Sequence, residues 1–353
     1  MNKDIIKEVL NTAVYAPSGE NSQPWRFEVK DNVIYQYNLP DKDNPIYNYR
    51  QRGSYFAHGA LLQNIILLFK ARGYDVDFSL LPNGGKDNLV AKIILKEAEK
   101  VESSLVNFIK KRITNRKKYK NTPLTDEQKE KLKAIAGEFH EVSLLIVEKE
   151  EDKRKLSGVF SNNDRIMLEN KSLHDSVFHN ICWNEAEEKS KKCGLYVKTM
   201  ELAPPQFMIF KLLKNWKVAE VFKKMGMTKF IAKENAKIYA TGAAYLSFLV
   251  DNEDISFIKA GMLVQKIWLQ IIKWGLSAHP LAALPYLYAR VSTNSLDGFF
   301  VEHIDLIKDS YKILKDLYKI SDSKSIAMTL RVGKSDAPSG TSSRLEPEVV
   351  FCE

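Results

Sequence analysis

The sequence predicts an α+β protein built from two related but unequal halves, and three observations carry that prediction. Residues 4–15 show helical apolar spacing at Ile5, Ile6, Val9, Leu10 and Ala13. Two short alternating runs follow at 27–29 and 33–37, around a turn at Asp31 and Asn32. A second helix-then-strand pair begins at Thr125 and continues through 141–147. Finally, Gly59, Gln63 and Gly73 recur as Gly261, Gln265 and Gly275, each displaced by 202 residues.

The repeated glycines bracket matching helices. Leu61, Leu62, Ile65 and Leu67 answer Leu263, Val264, Ile267 and Leu269, and each helix ends at a glycine suited to a left-handed cap. Thr125 reads as the N-cap of its helix, with Gln128 at the capping-box position. Residues 1–100 are expected to form a reduced first repeat and 105–353 a fuller second one. Within the second, residues 186–235 exceed a minimal repeat and read as a helical flap. They mix Phe207, Phe210, Trp216 and Phe222 with lysines, and Pro204 and Pro205 are expected to break the helical stretch. Residues 297–320 read as one more amphipathic helix, with Phe300, Ile304, Ile307, Tyr311, Leu314 and Leu317 on its apolar face.

Bulk properties narrow the function classes. The chain has 353 residues with 44% hydrophobic content, enough for a sizeable core. A cytoplasmic location is expected, because the first residues lack a signal-peptide core and the apolar runs at 61–69 and 243–250 are too short to span a bilayer. Cys182, Cys193 and Cys352 form neither a disulfide framework nor a metal signature, so no metal is expected. The net charge of +9 is densest between Lys189 and Lys237. No nucleic-acid motif accompanies it, so it reads as a solvated face, and neither a nucleic-acid nor a membrane partner is expected, with a flap lying on a membrane surface as the alternative for residues 185–237. There is no G-x-G-x-x-G after a strand, no P-loop and no G-x-S-x-G elbow.

The most informative stretch is P-S-G-E-N-S-Q-P-W at 17–25, a tight connection between the first helix and first strand. Pro17 and Pro24 restrict the backbone, Gly19 permits positive φ, and Ser18, Asn21 and Gln23 supply short polar groups able to hold the edge of a planar heterocycle. Far along the chain stand R-I-T-N-R at 112–116, G-L-S-A-H-P-L-A-A-L at 275–284 and T-S-S-R at 341–344. Together these segments resemble the nitroreductase family of FMN enzymes.

That resemblance implies a nitroreductase-like fold in which one chain mimics the family's homodimer, with a single FMN between the halves. Arg112, Thr114, Arg116 and Arg344 would hold its phosphate, threonine replacing the family's serine and Ser342 standing where lysine is common. Pro17, Ser18, Gly19, Asn21 and Gln23 would face the ring, with Pro280, Ala282 and Ala283 beside it. The backbone N–H of Ala282 would lie near flavin N5, although the family's glutamate is alanine here. The resemblance further implies NAD(P)H as electron donor and a small-molecule acceptor: a nitroaromatic, quinone or activated alkene. A monomer is plausible, because the chain is already a pseudo-dimer. A second reading stays open, in which the flap shuts over FMN and the protein sequesters it. The family's contacts to the flavin pyrimidine find no clear match, and several candidates lie between Ser161 and His174.

Overall fold

A computed structural model describes residues 2–296 and 301–353. In chain order the elements are α1 (Lys3–Ala13), β1 (Trp25–Lys30), β2 (Val33–Asn38), α2 (Arg52–Lys70), β3 (Tyr74–Leu80) and β4 (Leu89–Glu97). Next come α3 (Asp126–Ala136), β5 (Val142–Val147), α4 (Glu150–Glu169), α5 (Lys171–His179), β6 (Ile181–Cys182), α6 (Glu185–Lys191) and β7 (Leu195–Tyr196). The insert continues as α7 (Pro204–Leu213), α8 (Trp216–Lys224) and α9 (Met227–Tyr239). The remainder is β8 (Ala244–Asp251), α10 (Asp254–Lys273), β9 (Ser277–Pro280), α11 (Ala283–Ser292), α12 (Val301–Tyr318), β10 (Lys324–Gly333) and β11 (Val349–Phe351). The architecture is α+β. The predicted helix at 297–320 is found as α12; the positions up to Phe300 lie outside the described residues.

Two sheets flank a pair of crossed helices. The first has strand order β11-β1-β2-β4-β3, and the second β5-β8-β10-β9. Burial alternates along β1 and β2, as a sheet with one covered face requires, whereas the first seven residues of β8 are all buried. β11 adds parallel to β1, pairing Val349, Val350 and Phe351 with Phe27, Glu28 and Val29. A segment late in the chain therefore completes the sheet that the N-terminal residues begin.

Helices α2 and α10 form the centre. α10 has the length and mean hydropathy (1.3) of a membrane span, yet 78% of that window is buried inside the protein. Their crossing is close: a Cβ built on Gly59 would lie 1.8 Å from the carbonyl oxygen of Ile258, and one on Gly261 would lie 1.9 Å from that of Phe56. Only glycine allows backbones so near one another. The two contacts interchange under the same 202-residue displacement, because Ile258 also stands 202 residues after Phe56. Gly73 and Gly275 follow the two helices with φ of 85° and 70°. At α3 the predicted capping box is present, with Thr125 Oγ1 accepting from Gln128 N and Gln128 Oε1 from Thr125 N.

The insert differs from the expected broken helix. Pro204 and Pro205 begin α7 instead of interrupting it, since the first turn of a helix needs no N–H donor from its leading residues. α7, α8 and α9 fold back on one another and anchor Phe210, Leu213 and Ala219 against Leu168, Phe178 and Ile181.

Candidate functional site

The site is assembled by two local pairings. Thr114 bridges to Ala278 of β9 in parallel fashion, and Asn115 N donates to Ala278 O at 3.0 Å. This lays the 112–116 segment beside the strand that leads into Pro280, Ala282 and Ala283. On the opposite side, the 341–345 segment docks on the 17–25 loop. Asn21 Nδ2 donates to Ser343 O at 3.1 Å, and Leu345 N donates to Gln23 Oε1 at 2.9 Å.

Between these segments lies a cavity of about 610 Å³, within the usual size of cofactor and ligand pockets. Pro17, Ser18, Gly19, Asn21, Arg112, Thr114, Arg116, Pro280, Ala282, Ala283 and Arg344 all line it. The chain thus brings together residues from its beginning, middle and end. Gln23 is not in the lining. It is 4% exposed, and both ends of its amide are spent on the scaffold, Nε2 on Lys192 O at 2.8 Å and Oε1 on Leu345 N. It clasps the loops instead of facing the cavity.

Gly19 also departs from expectation. Positive φ falls on Glu20 (47°), Asn21 (58°) and Gln23 (52°), not on Gly19. What Gly19 supplies is room, because a Cβ there would stand 2.8 Å from Asp43 Oδ1. Three non-glycine residues in the left-handed region within four positions make a locally strained loop. It is held by Ser18 Oγ, which accepts from Gln23 N at 3.0 Å, and by the ties to Lys192, Ser343 and Leu345.

One end of the cavity is cationic. Arg112 is 5% exposed, donates to Tyr15 O at 3.1 Å and lies over the Trp268 ring at 4.5 Å. Arg344 donates to the carbonyls of Ser342 and Ser343 there, whereas Arg116 has Asp164, Tyr239 and Glu201 as its electrostatic neighbours and donates to Thr199 O at 3.0 Å. Among the described residues none of the three forms an ion pair, and Nε of both Arg112 and Arg344 is buried without a partner. Burial, with Arg344 nearby, lowers Arg112 to about 9; burial lowers Arg344 to about 10. Buried like charges with spare donors constitute an anion site, and guanidiniums suit phosphate in particular.

Another part of the lining carries carboxyls that the sequence did not single out as ligands. Asp43 is pushed up to about 7, chiefly by burial and further by Glu20, against a hydrogen bond from Asn44 N. Glu20 is also raised by burial, although Asn180 and Asn44 donate to it. Asp164 rises to about 6 through burial, while accepting from Asn235 at 2.8 Å and from the Tyr239 hydroxyl at 2.9 Å. His279 is held well below its ordinary value by burial and by Arg331 and Arg116, so it is neutral, with Nδ1 unpartnered. Asn163 and Asp164 fall inside the 161–174 stretch singled out in the sequence. Asp43 sits in a run of turn residues with no visible signature.

Phe56, Phe160, Met167, Trp268, Leu281 and Met328 give the cavity apolar walls, and Thr199 and Met200 from the insert close one side. At the start of α11, no hydrogen bond from the N–H of Ala282 is found among the described residues. A flat, amphipathic group with an anionic tail fits this combination: apolar walls, one free backbone donor and an anion end. Outside the cavity, Glu169, Glu302 and His303 stand close enough to hold a metal ion. Arg165 and Thr228 already donate to Glu169 and Lys223 pairs with Glu302, so the group serves as a polar tie between α4, α8, α9 and α12.

No family model matches the chain. Its sequence is similar to the Probable NAD(P)H nitroreductase PigM of Serratia sp. (strain ATCC 39006), 22% identical over 79% of this chain and 80% of that protein. It is also 22% identical to the uncharacterized protein MT1398 of Mycobacterium tuberculosis, over 80% of this chain but only 39% of that longer protein. Solved structures similar to the chain include the NADPH:FMN oxidoreductase from Vibrio harveyi complexed with NAD+ (12% identity, 69% of this chain and 74% of that one, TM-score 0.37). Another is a BluB-like flavoprotein from Clostridium difficile 630 (13% identity, 69% and 96%, TM-score 0.39). The α+β architecture and the sequence likeness to PigM together support a nitroreductase-family assignment.

Proposed function

We propose that this chain is an NAD(P)H-dependent FMN oxidoreductase of nitroreductase type, working as a single-chain pseudo-dimer with one flavin. The observation that carries this reading is the cavity itself, where unpaired buried guanidiniums face the 17–21 loop and a free backbone donor at Ala282. Arg112, Arg344, Arg116 and Thr114 would hold the FMN phosphate. Pro17, Ser18, Gly19, Asn21, Pro280 and Ala283 would border the ring. When bound, FMN supplies two-electron chemistry, taking hydride from NAD(P)H and passing it to an electron-poor acceptor such as a nitroaromatic, quinone or activated alkene.

The protein's own part is binding and exclusion. Arg112 and Arg344 would neutralise the phosphate, the apolar walls would keep water from the ring, and the Ala282 N–H would offer a donor to the reduced ring. Tyr239 and Asp164 line the cavity, joined by a hydrogen bond at 2.9 Å, and offer a hydroxyl and a carboxyl where a proton can be held. We further infer that residues 1–100 and 105–353 are two repeats of one ancestral unit, and that the protein acts in the cytoplasm.

A second reading is favoured by a specific contact. Arg116 holds Thr199 O, and Thr199 and Met200 wall the cavity, so the insert is positioned to enclose FMN and limit turnover. Anaerobic mixing of the FMN-loaded protein with NADH or NADPH decides between the two. Rapid bleaching of the flavin band supports the reductase; a loaded flavin that neither donor reduces leaves the sequestering protein.

A further inference from the structure

Twelve large apolar side chains are exposed among the described residues, and six of them, Met208, Ile209, Leu212, Val221, Met225 and Phe230, fall within one short stretch of the insert. Core packing does not account for them. The inner sides of α7 and α8 are already satisfied by Phe210, Leu213 and Ala219 in the cluster around Phe178. Met208 is 60%, Leu212 58% and Met225 70% exposed, so the outer side is apolar as well.

The same helices carry most of the chain's excess charge. Residues 204–239 contain eight lysines and two glutamates, six net positive charges out of nine for the whole chain. Lys211, Lys217, Lys224, Lys229 and Lys233 are exposed, and none forms an ion pair among the described residues. Protruding apolar side chains interleaved with free lysines suit a fluid interface, where each apolar tip enters the acyl boundary and each ammonium stays at headgroup depth. A second copy of the chain fits poorly, because two faces of the same strong positive charge repel.

We propose that α7–α9 dock this protein on the surface of an anionic phospholipid bilayer. The inference concerns the outer face of the insert and is independent of the flavin reading; it takes the sequence's alternative of a membrane-lying flap over the expectation of no membrane partner. Attraction of the lysines to anionic headgroups brings the face to the bilayer, and shallow insertion of Met208, Leu212, Met225 and Phe230 holds it there.

The test is co-sedimentation of the full chain with vesicles of equal parts phosphatidylglycerol and phosphatidylcholine, against vesicles of phosphatidylcholine alone. Binding is expected to the first and not the second, and to weaken at least about tenfold when salt rises from about 0.1 M to about 0.5 M. The triple variant Leu212→Asp/Met225→Asp/Phe230→Asp, at exposed positions, is expected to lose binding while keeping its melting temperature. Lys211→Gln/Lys224→Gln/Lys229→Gln is expected to bind about a hundredfold more weakly, at about 1 kcal/mol per lysine. No binding to the anionic vesicles overturns the proposal. So does binding that the aspartate variant retains in full, which marks unspecific adsorption of a basic protein. Concentration-dependent self-association abolished by the same aspartates also overturns it, in favour of a second copy on this face.

Discussion

Gly59 and Gly261 each touch the other's helix through backbone alone: Gly59 meets the carbonyl of Ile258, and Gly261 meets that of Phe56. Neither site has room for a methyl group, since the atoms in the way are backbone atoms of a rigid helix. Gly59→Ala or Gly261→Ala is expected to force α2 and α10 apart and to cost at least about 3 kcal/mol, the upper end for overpacking. Urea unfolding monitored by far-UV circular dichroism measures it, and an unchanged midpoint would show that the crossing is not under this constraint.

The phosphate assignment makes a separate prediction. A hydrogen bond to a charged group contributes about 1.5–3 kcal/mol. Arg112→Ala/Arg344→Ala should therefore lose FMN on dialysis yet remain folded, because neither guanidinium is in an ion pair within the protein. Full flavin absorbance after dialysis of a folded double variant would refute the assignment.

Asp43 ties stability to pH. Its carboxyl sits at about 7 in the folded protein against an ordinary 3.8. Between those values the folded state retains a proton that the unfolded chain has released, so stability is full at the acidic end and falls as pH rises towards 7. At about 1.36 kcal/mol per pKa unit, the loss reaches about 4 kcal/mol. Asp43→Asn should flatten this slope and raise the melting temperature at pH 8, with little change near pH 4. A variant whose melting curve follows the parent's at every pH would remove Asp43 as the cause.

Gln23 is expected to matter without touching a ligand. Gln23→Ala leaves Leu345 N without its partner and leaves Lys192 O only the longer bond from Asn21 Nδ2 at 3.5 Å, at about 1–3 kcal/mol in all. The local effect should be faster amide exchange at residues 341–345 and weaker FMN retention. Exchange that stays at the parent rate would show that the clasp is redundant.

Much of this was legible in the sequence, for identifiable reasons. The α2 and α10 helices announced themselves because a long buried helix needs a continuous apolar period, and the repeated glycines marked where the two touch. The arginines and the 17–21 loop were legible through their segments, which keep spacing even though they meet only in the fold. Gln23 was misplaced because composition reveals a polar group but not which way it points. Gly19 was misread because a glycine can be required by a neighbour's carboxylate as well as by its own φ. Asp164 lay within a stretch the sequence marked without choosing among its residues, and Asp43 and Tyr239 were silent: their importance comes from burial on separate elements, which no local pattern records. Pro204 and Pro205 can both end a helix and begin one, and only the hairpin packing of α7–α9 decides it.

The pairing of β11 with β1 sets an order of events during synthesis. Asn21 reaches Ser343 across 322 residues, and Arg344 follows immediately. A ribosome makes the loop that would border the flavin ring long before it makes the arginine that closes the anion end. Until that segment emerges, the first sheet has an open edge at β1 and the cavity lacks one wall. The proposed cofactor site would then be complete only after residues 341–351 have been made, and the nascent protein has an unpaired strand to shield in the meantime.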